Sequence, residues 1–401
     1  MSSSKGSPRP LWILRHHSPA SIQSLAFSKA SPHAQSYLIS GDSEGRVAIN
    51  DLHSFRPIAF WQAHHDIILT VAAHQSLILT HGRDNTIKVW KPAAEEGADD
   101  GTVATSDRRV GLPTASNYMD ALPQPVCLLT LDVNALNYCP FSLLPQARSS
   151  EVSTSNDIPS FLLAVPNTLD TAWVDIYEMP NKRRLHEAIG RPAIVDRSAR
   201  SPIAMAIHLF EKAEQQTDVK GPKLCLLGGY EDGSVILRQL NEATNTWEIL
   251  WSLREHVESV MAFSLSPDRT FALSGSADDK IVRYPLFPKA ADRPTPLTVS
   301  SKRQGKASIA IRRDSKVSAY GGWDGNVRLY DTSDLRPLAV LDYHKETVQA
   351  VAFSQGGSLL SAPDSDESES DEDGPPRGSS AADVLACGCR DGRISIWQLT
   401  F

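Results

Sequence analysis

Three features of the sequence predict an all-β chain folded as one seven-bladed β-propeller and closed by its N-terminal strand. The first is repetition. HGRDNTIKVW, SGSADDKIVRY, YGGWDGNVRLY and GCRDGRISIW each set a Gly/Asp turn before alternating apolar residues and an aromatic, closing at Trp90, Tyr284, Tyr330 and Trp397. Looser copies close at Asn50, Tyr177 and Arg238, which brings the units to seven. The second is a fixed offset. Six positions before the closing residues stand Glu44, Asp84, Thr171, Asp232, Asp278, Asp324 and Asp391, an acid in six of seven units. The third is a pair of unmatched ends: the last unit stops at Phe401 without a fourth strand, and a lone strand, Leu11 to Arg15, precedes the first. Pairing the two would close the ring and remove both exposed sheet edges.

Each unit reads as a strand, an acid-containing turn, and a second strand whose alternation buries every other side chain. A small-apolar strand precedes most units: SIQSLAFS, ILTVAAH, VNALNYC, ESVMAFS and TVQAVAFS come before the first, second, third, fifth and seventh. RPIAFWQAH, VCLLTLDV, KRRLHEAI, TWEILWSL, TPLTVSS and RPLAVLDY supply fourth strands. Closing residues are 40, 87, 61, 46, 46 and 67 apart, against about 40 to 45 residues for a four-stranded blade. The long intervals contain Ser/Pro/acid-rich insertions at about 92–124, 145–160, 211–222 and 361–382, expected to be disordered and to emerge on one face of the ring. The other face keeps short connections apart from 187 to 202. Residues 1–401 are therefore expected to form a single domain.

Hydrophobic residues at 41% supply enough material for a sizeable core, which excludes wholesale disorder. No apolar run approaches the roughly 20 residues that cross a bilayer, and MSSSKGSPRPLWILRHH has no signal-peptide apolar region. Five scattered cysteines and no Asn-x-Ser/Thr acceptor point to a reducing intracellular compartment. The net charge of -7 sits in DSDESESDED at 364–373; without those seven acids, the 40 basic residues are balanced. A neutral body offers no concentrated cationic surface for nucleic acid.

Catalytic motifs are missing. There is no G-x-S-x-G elbow, phosphate loop or H-E-x-x-H, and Cys387-Gly388-Cys389 has no second pair at zinc-finger spacing, so it reads as strand packing. His17, His64, His256 and His344 precede first strands, where a hydrogen bond to the turn acid explains them better than catalysis does. No catalytic, cofactor-binding or metal residue is assigned, and no cofactor, small-molecule substrate or membrane partner is expected. The chain reads as a non-enzyme whose partners are other proteins.

Over nearly its whole length the chain resembles the WD-repeat family, which makes the predicted fold a WD40 propeller. That resemblance implies a hydrogen-bonded chain of histidine, Ser/Thr, turn acid and closing Trp within a blade. His64, Thr80, Asp84 and Trp90 match fully; His256, Ser274 and Asp278 match with Tyr284 in place of Trp. The first blade departs with Glu44 and Asn50, and the last has Cys387 at the hydroxyl position. More narrowly, PLWILRHHSPASIQSLAFS, ISGDSEGRV, LILTHGRDNTIKVW and above all VNALNYCPFSLL resemble the ASTRA-associated protein 1 family of fungal WD-repeat proteins. The resemblance implies a nuclear scaffold, with a further cytoplasmic pool open. It implies a subunit of the ASTRA complex, linked to chromatin regulation and to the cochaperone that matures phosphatidylinositol 3-kinase-related kinases. The alternatives are a G-protein-β-like signalling adaptor and a ubiquitin-ligase substrate receptor. Only about ten residues precede the first strand, short of a coiled-coil helix, and Lys91 and Gln398 follow the closing tryptophans where W-D-x-R would stand.

In WD-repeat proteins the residue before the turn acid projects around one mouth of the channel. Those positions are Ser43, Arg83, Asp170, Glu231, Ala277, Trp323 and Arg390. Trp and Arg dominate interface hot spots, so Arg83, Trp323 and Arg390 are the expected partner-binding residues. The acidic run, with Ser365, Ser368 and Ser370 among its acids, is either a solvated linker or a phosphorylatable contact for basic surfaces. Replacing 362–381 with a Gly/Ser linker should leave the melting temperature unchanged; a drop of several degrees would show that the segment packs.

Overall fold

The computed structural model describes residues 8–28, 37–93, 118–119, 121–146, 158–192, 201–212, 223–288, 294–354 and 383–399. Among them are 28 strands and no helix. A short strand, β1 (Trp12–Leu14), opens the chain. Blade one follows as β2 (Ile22–Phe27), β3 (Tyr37–Asp42), β4 (Arg46–Asp51) and β5 (Arg56–Gln62), and blade two as β6 (Ile68–His74), β7 (Leu77–Gly82), β8 (Thr86–Lys91) and β9 (Val126–Asp132). Blade three is β10 (Ser142–Pro145), β11 (Phe161–Pro166), β12 (Val174–Met179) and β13 (Arg183–Ile189). Blade four is β14 (Ala204–Glu211), β15 (Leu224–Tyr230), β16 (Ser234–Asn241) and β17 (Thr246–Arg254). Blade five is β18 (Val260–Leu265), β19 (Phe271–Ser276), β20 (Lys280–Pro285) and β21 (Leu297–Ser300). Blade six is β22 (Lys306–Ile311), β23 (Val317–Gly322), β24 (Val327–Asp331) and β25 (Pro337–Leu341). Blade seven takes β26 (Val348–Phe353), β27 (Asp383–Cys389) and β28 (Ile394–Leu399), and receives β1 as its fourth strand.

Every sheet is an antiparallel meander of four strands. The second strands are buried along their whole length because a neighbouring blade covers each face, which is why they read as continuous apolar or small residues. The outermost strands are half exposed and alternate. Seven apolar clusters form the core, each shared by two adjacent blades. No blade has a core of its own, so the stability of each depends on both neighbours.

One predicted element is not a strand. VNALNYC alternates buried and exposed residues only from Ala135 to Cys139, where Leu136 and Tyr138 are exposed, and so imitates a half-buried strand over part of its length, while Val133 and Asn134 are both buried before it. Its backbone instead turns on its asparagines. Asn134 Oδ1 accepts from the Leu136 N–H at 3.1 Å, Asn134 Nδ2 donates to the Asn167 backbone carbonyl at 2.9 Å, and Tyr138 lies in the left-handed region at φ 58°. The first strand of blade three is β10, which follows. Most of each expected insertion at about 92–124, 145–160, 211–222 and 361–382, with the whole acidic run, lies outside the described residues.

Closure is as expected. Trp12, Ile13 and Leu14 pair with Ile396, Ser395 and Ile394, and the Leu11 N–H donates to the Ile396 carbonyl at 2.7 Å. Leu14 joins the cluster shared by blades seven and one. Deleting residues 1–15 should leave β28 as an open edge, lower the melting temperature and promote aggregation; a monomeric truncation with unchanged melting temperature would refute this closure.

Candidate protein-interaction site

The turn residues expected to carry binding are fixed by a repeated device. In six blades the pairing of the first two strands slips by one residue at its start, between Ile22 and Ser24, Ile68 and Thr70, Ala204 and Ala206, Val260 and Ala262, Lys306 and Ser308, and Val348 and Ala350. A bulge of this kind re-aims a side chain: Gln23, Leu69, Met261, Ala307 and Gln349, the extra residues of five blades, line the central cavity. In the same six blades the N–H of the residue expected to project donates to the carbonyl just before the innermost strand: Ser43 to Ser21, Arg83 to Ile67, Glu231 to Ile203, Ala277 to Ser259, Trp323 to Gly305 and Arg390 to Thr347, at 2.8–3.2 Å.

Beneath these turns run directional hydrogen-bond chains. In blade two the Trp90 indole N–H donates to Thr80 Oγ1 at 2.8 Å, the Thr80 hydroxyl to His64 Nε2 at 2.7 Å, and His64 Nδ1–H to Asp84 at 2.9 Å. Burial above all holds His64 below the ordinary imidazole range despite Asp84 beside it, so the ring is neutral. Burial also opposes ionisation of Asp84, but hydrogen bonds from Thr86 and His64 outweigh it and lower its pKa. His256 bridges Ser274 at 2.7 Å and Asp278 at 3.1 Å in the same way.

The blades that depart in sequence rebuild the chain from other residues. In blade one Asn50 Nδ2 donates to Ser40 Oγ at 3.2 Å, Ser40 to His17 Nε2 at 2.8 Å, and His17 Nδ1–H to Asp42, not Glu44, at 2.8 Å. Glu44, 55% exposed, pairs with Arg46 instead. In blade seven Cys387 leaves the hydroxyl position empty, and Ser395, its partner across β27 and β28, fills it: the Trp397 N–H donates to Ser395 Oγ at 2.8 Å, and that hydroxyl shares a hydrogen bond of 2.8 Å with His344 Nε2, where the chain ends. Blade six has Lys306 at the start of its first strand, where its ammonium donates to the Asp278 and Arg303 carbonyls at 2.8 Å. Its turn is held by Arg328, whose bonds to Asp324 bring that carboxyl down to about 2.

The channel contains a cavity of about 720 Å³ lined from all seven blades. Ser43, Trp323 and Arg390 lie at its mouth with Tyr138. The Trp323 indole lies against Gly305, where a Cβ would overlap the ring, yet the residue is 46% exposed. Arg390 is exposed, and the Arg83 guanidinium sits 4.3 Å over the Tyr138 ring. Among the described residues neither arginine has an ion-pair partner. Arg83, Trp323 and Arg390 thus share one rim, set by the turns of blades two, six and seven.

Other residues of this rim escape a reading of the turn positions. Large exposed apolar side chains among the described residues fall in two places: on or beside outermost strands, and in the connections on the face that carries this mouth, where Leu136, Tyr138, Leu169, Val257 and Trp323 are between 46% and 90% exposed and Tyr138 and Trp323 line the cavity itself. Leu136 and Tyr138 belong to the segment misread as a strand. Leu169 lies in the longer β11–β12 turn and Val257 before β18, positions the spacing of units does not single out.

Comparison with known proteins agrees with this architecture. Residues 247–284, from β17 through β20, match the family described as WD domain, G-beta repeat. The chain is similar over nearly its whole length to proteins named ASTRA-associated protein 1. It is 33% identical to that of Verticillium alfalfae, over 98% of this chain and 93% of the relative. It is 29% identical to that of Aspergillus niger, with 97% of each covered, and 27% identical to that of Schizosaccharomyces pombe, with 98% and 99% covered.

The buried histidines give the structure a pH dependence. His81, beside Thr80 on β7, is fully buried against Phe141 with no hydrogen-bond partner among the described residues. Burial first, then the neighbouring His64, takes its pKa down to about 3 while Asp84 opposes the shift. His16 is likewise brought to about 3, by burial and then by His17. A folded-state pKa below the unfolded 6.5 means that the unfolded chain binds the proton first, so stability falls as pH drops through 6.5 and keeps falling toward 3, by about 1.4 kcal/mol per group per pH unit. Melting temperature should be lower at pH 5 than at pH 7.5, and His81→Gln should reduce the acid slope by close to one proton; an unchanged slope would contradict the assignment.

Proposed function

The chain belongs to the ASTRA-associated protein 1 family, and from this premise we propose that it is a non-enzymatic scaffold subunit of the ASTRA assembly that docks other proteins on the channel-mouth face. One observation carries the reading: exposed Trp323 and Tyr138 line a single opening with Arg390, Arg83 stacks on Tyr138, and among the described residues neither arginine has an ion-pair partner. Monomeric proteins keep large exposed apolar patches small, and such a patch with a polar rim is suited to a partner. Trp323 and Tyr138 are rigid aromatic anchors, and Arg83 and Arg390 supply donors without first breaking a salt bridge. A nuclear location, chromatin regulation and cochaperone-assisted maturation of phosphatidylinositol 3-kinase-related kinases follow from the family resemblance and complete the proposal.

Truncation tests it. Trp323→Ala should weaken partner binding by about 2 kcal/mol or more while the fold is retained. The triple variant Arg83→Ala, Trp323→Ala, Arg390→Ala, purified from its own cells, should lose partners identified by mass spectrometry. A folded triple variant that recovers every partner at wild-type yield would move the interface to the opposite face, with residues 92–124 the next to test.

A further inference from the structure

In blades two and five, histidine Nδ1 lies 2.9 and 3.1 Å from the turn acid. In blade seven the equivalent His344 Nδ1 stands 3.7 Å from Asp391 Oδ2, and it is a buried nitrogen with no hydrogen-bond partner among the described residues. The cause is the residue two before the acid. Blade two has Gly82 there, where a Cβ would collide with the His64 ring; blade five has Ser276; blade seven has Cys389. The larger sulfur enters the space in which histidine and acid otherwise meet. Nδ1 of His344, Sγ of Cys389 and a carboxylate oxygen of Asp391 lie within 4.8 Å of one another.

We propose that His344, Cys389 and Asp391 form a binding site for one zinc ion in the seventh blade. Donors bound about 2.0–2.3 Å from a tetrahedral zinc stand roughly 3.3–3.8 Å apart, so the opened His344–Asp391 pair has the span of two ligands and exceeds that of a hydrogen bond. Imidazole, thiolate and carboxylate together are a zinc set; the thiolate disfavours magnesium and calcium. With histidine neutral and the other two ligands anionic, the donors balance a divalent charge in a largely buried place. The tautomer also suits: with Nε2–H donating to Ser395 Oγ, the Nδ1 lone pair faces the cluster, and Ser395 can turn its own proton toward Cys387. Binding the ion displaces the thiol proton of Cys389. Asp391, 21% exposed, provides the way in from the mouth, and the Glu346 carbonyl, 3.2 Å from Sγ, is at hand for a fourth position. Such an ion would tie the loop before β26 to the turn that carries Arg390, in the blade whose closing strand is only three residues long.

The test uses the full chain with the exposed Cys127 replaced by Ser, stripped with chelator. It should take up one equivalent of zinc with a rise in melting temperature. Cobalt(II) in its place should produce a thiolate-to-metal charge-transfer band. Cys389→Ser should abolish the band while keeping the fold, because Ser276 already occupies this place in blade five and donates to the Glu258 carbonyl just as Cys389 donates to Glu346. His344→Gln should also abolish it, and Cys387→Ser should not. Failure of the Cys127→Ser chain to take up zinc or to develop the band would overturn the proposal, as would a band that survives Cys389→Ser.

Discussion

The structure depends on the mutual burial of blades around a closed ring. Each four-stranded sheet has two apolar faces, and the seven clusters that cover them all lie between blades. Removing any one sheet exposes a face on both neighbours, and the ring is completed only because β1, from the far end of the chain, supplies the edge that β28 lacks. The three paired residues of β1 therefore hold much more than their own area. Leu14 packs between blades seven and one, and Trp12 stacks on Phe55 at 5.2 Å, which binds the closing strand to the first blade as well as the last.

Within that ring, hydrogen-bond polarity is retained more faithfully than residue identity. A donor on the closing residue, a hydroxyl and a neutral histidine recur in blades one, two and seven, and the histidine bonds its acid in the first two; blade one takes that acid two places earlier, and blade seven takes its hydroxyl from the adjacent strand. The physical requirement is that a buried imidazole donates from one nitrogen and accepts at the other, since leaving either unpaired costs about 1–3 kcal/mol. Any side chains that meet this requirement from the same volume serve equally well, and the turn above is fixed in each case.

That distinction explains what could be read from the sequence. The closing residues and the acid offset are local and periodic, and they led to seven blades, most strand positions and the closing strand. Asp42 and Ser395 were not recoverable in this way because their roles depend on which atoms meet across strands, and Glu44, at the expected offset, drew attention from Asp42. VNALNYC misled for a related reason: its small apolar residues read as a strand, while Asn134 and Asn137 satisfy its backbone as turns do. Of the mouth, Arg83, Trp323 and Arg390 were visible as turn positions. Leu136, Tyr138, Leu169 and Val257 were not, because exposure of an apolar residue is settled by its neighbours in space.

The two kinds of exposed apolar residue separate two accounts of partner binding. Those on or beside outermost strands, such as Val126, Ile249 and Val340, are dispersed around the circumference, one or two in each of five blades among the described residues. Those of the mouth face lie in connections on one side of the ring, and two of them, Tyr138 and Trp323, line the opening with Arg390. Hydrogen–deuterium exchange of the chain, free and within its assembly, distinguishes the accounts directly. Docking at the mouth predicts protection on assembly in 133–141, 167–172, 255–259, 323–326 and 389–392. Protection confined to the outer strands at 126–132, 246–254 and 337–341, with the mouth exchanging as in the free chain, would contradict it.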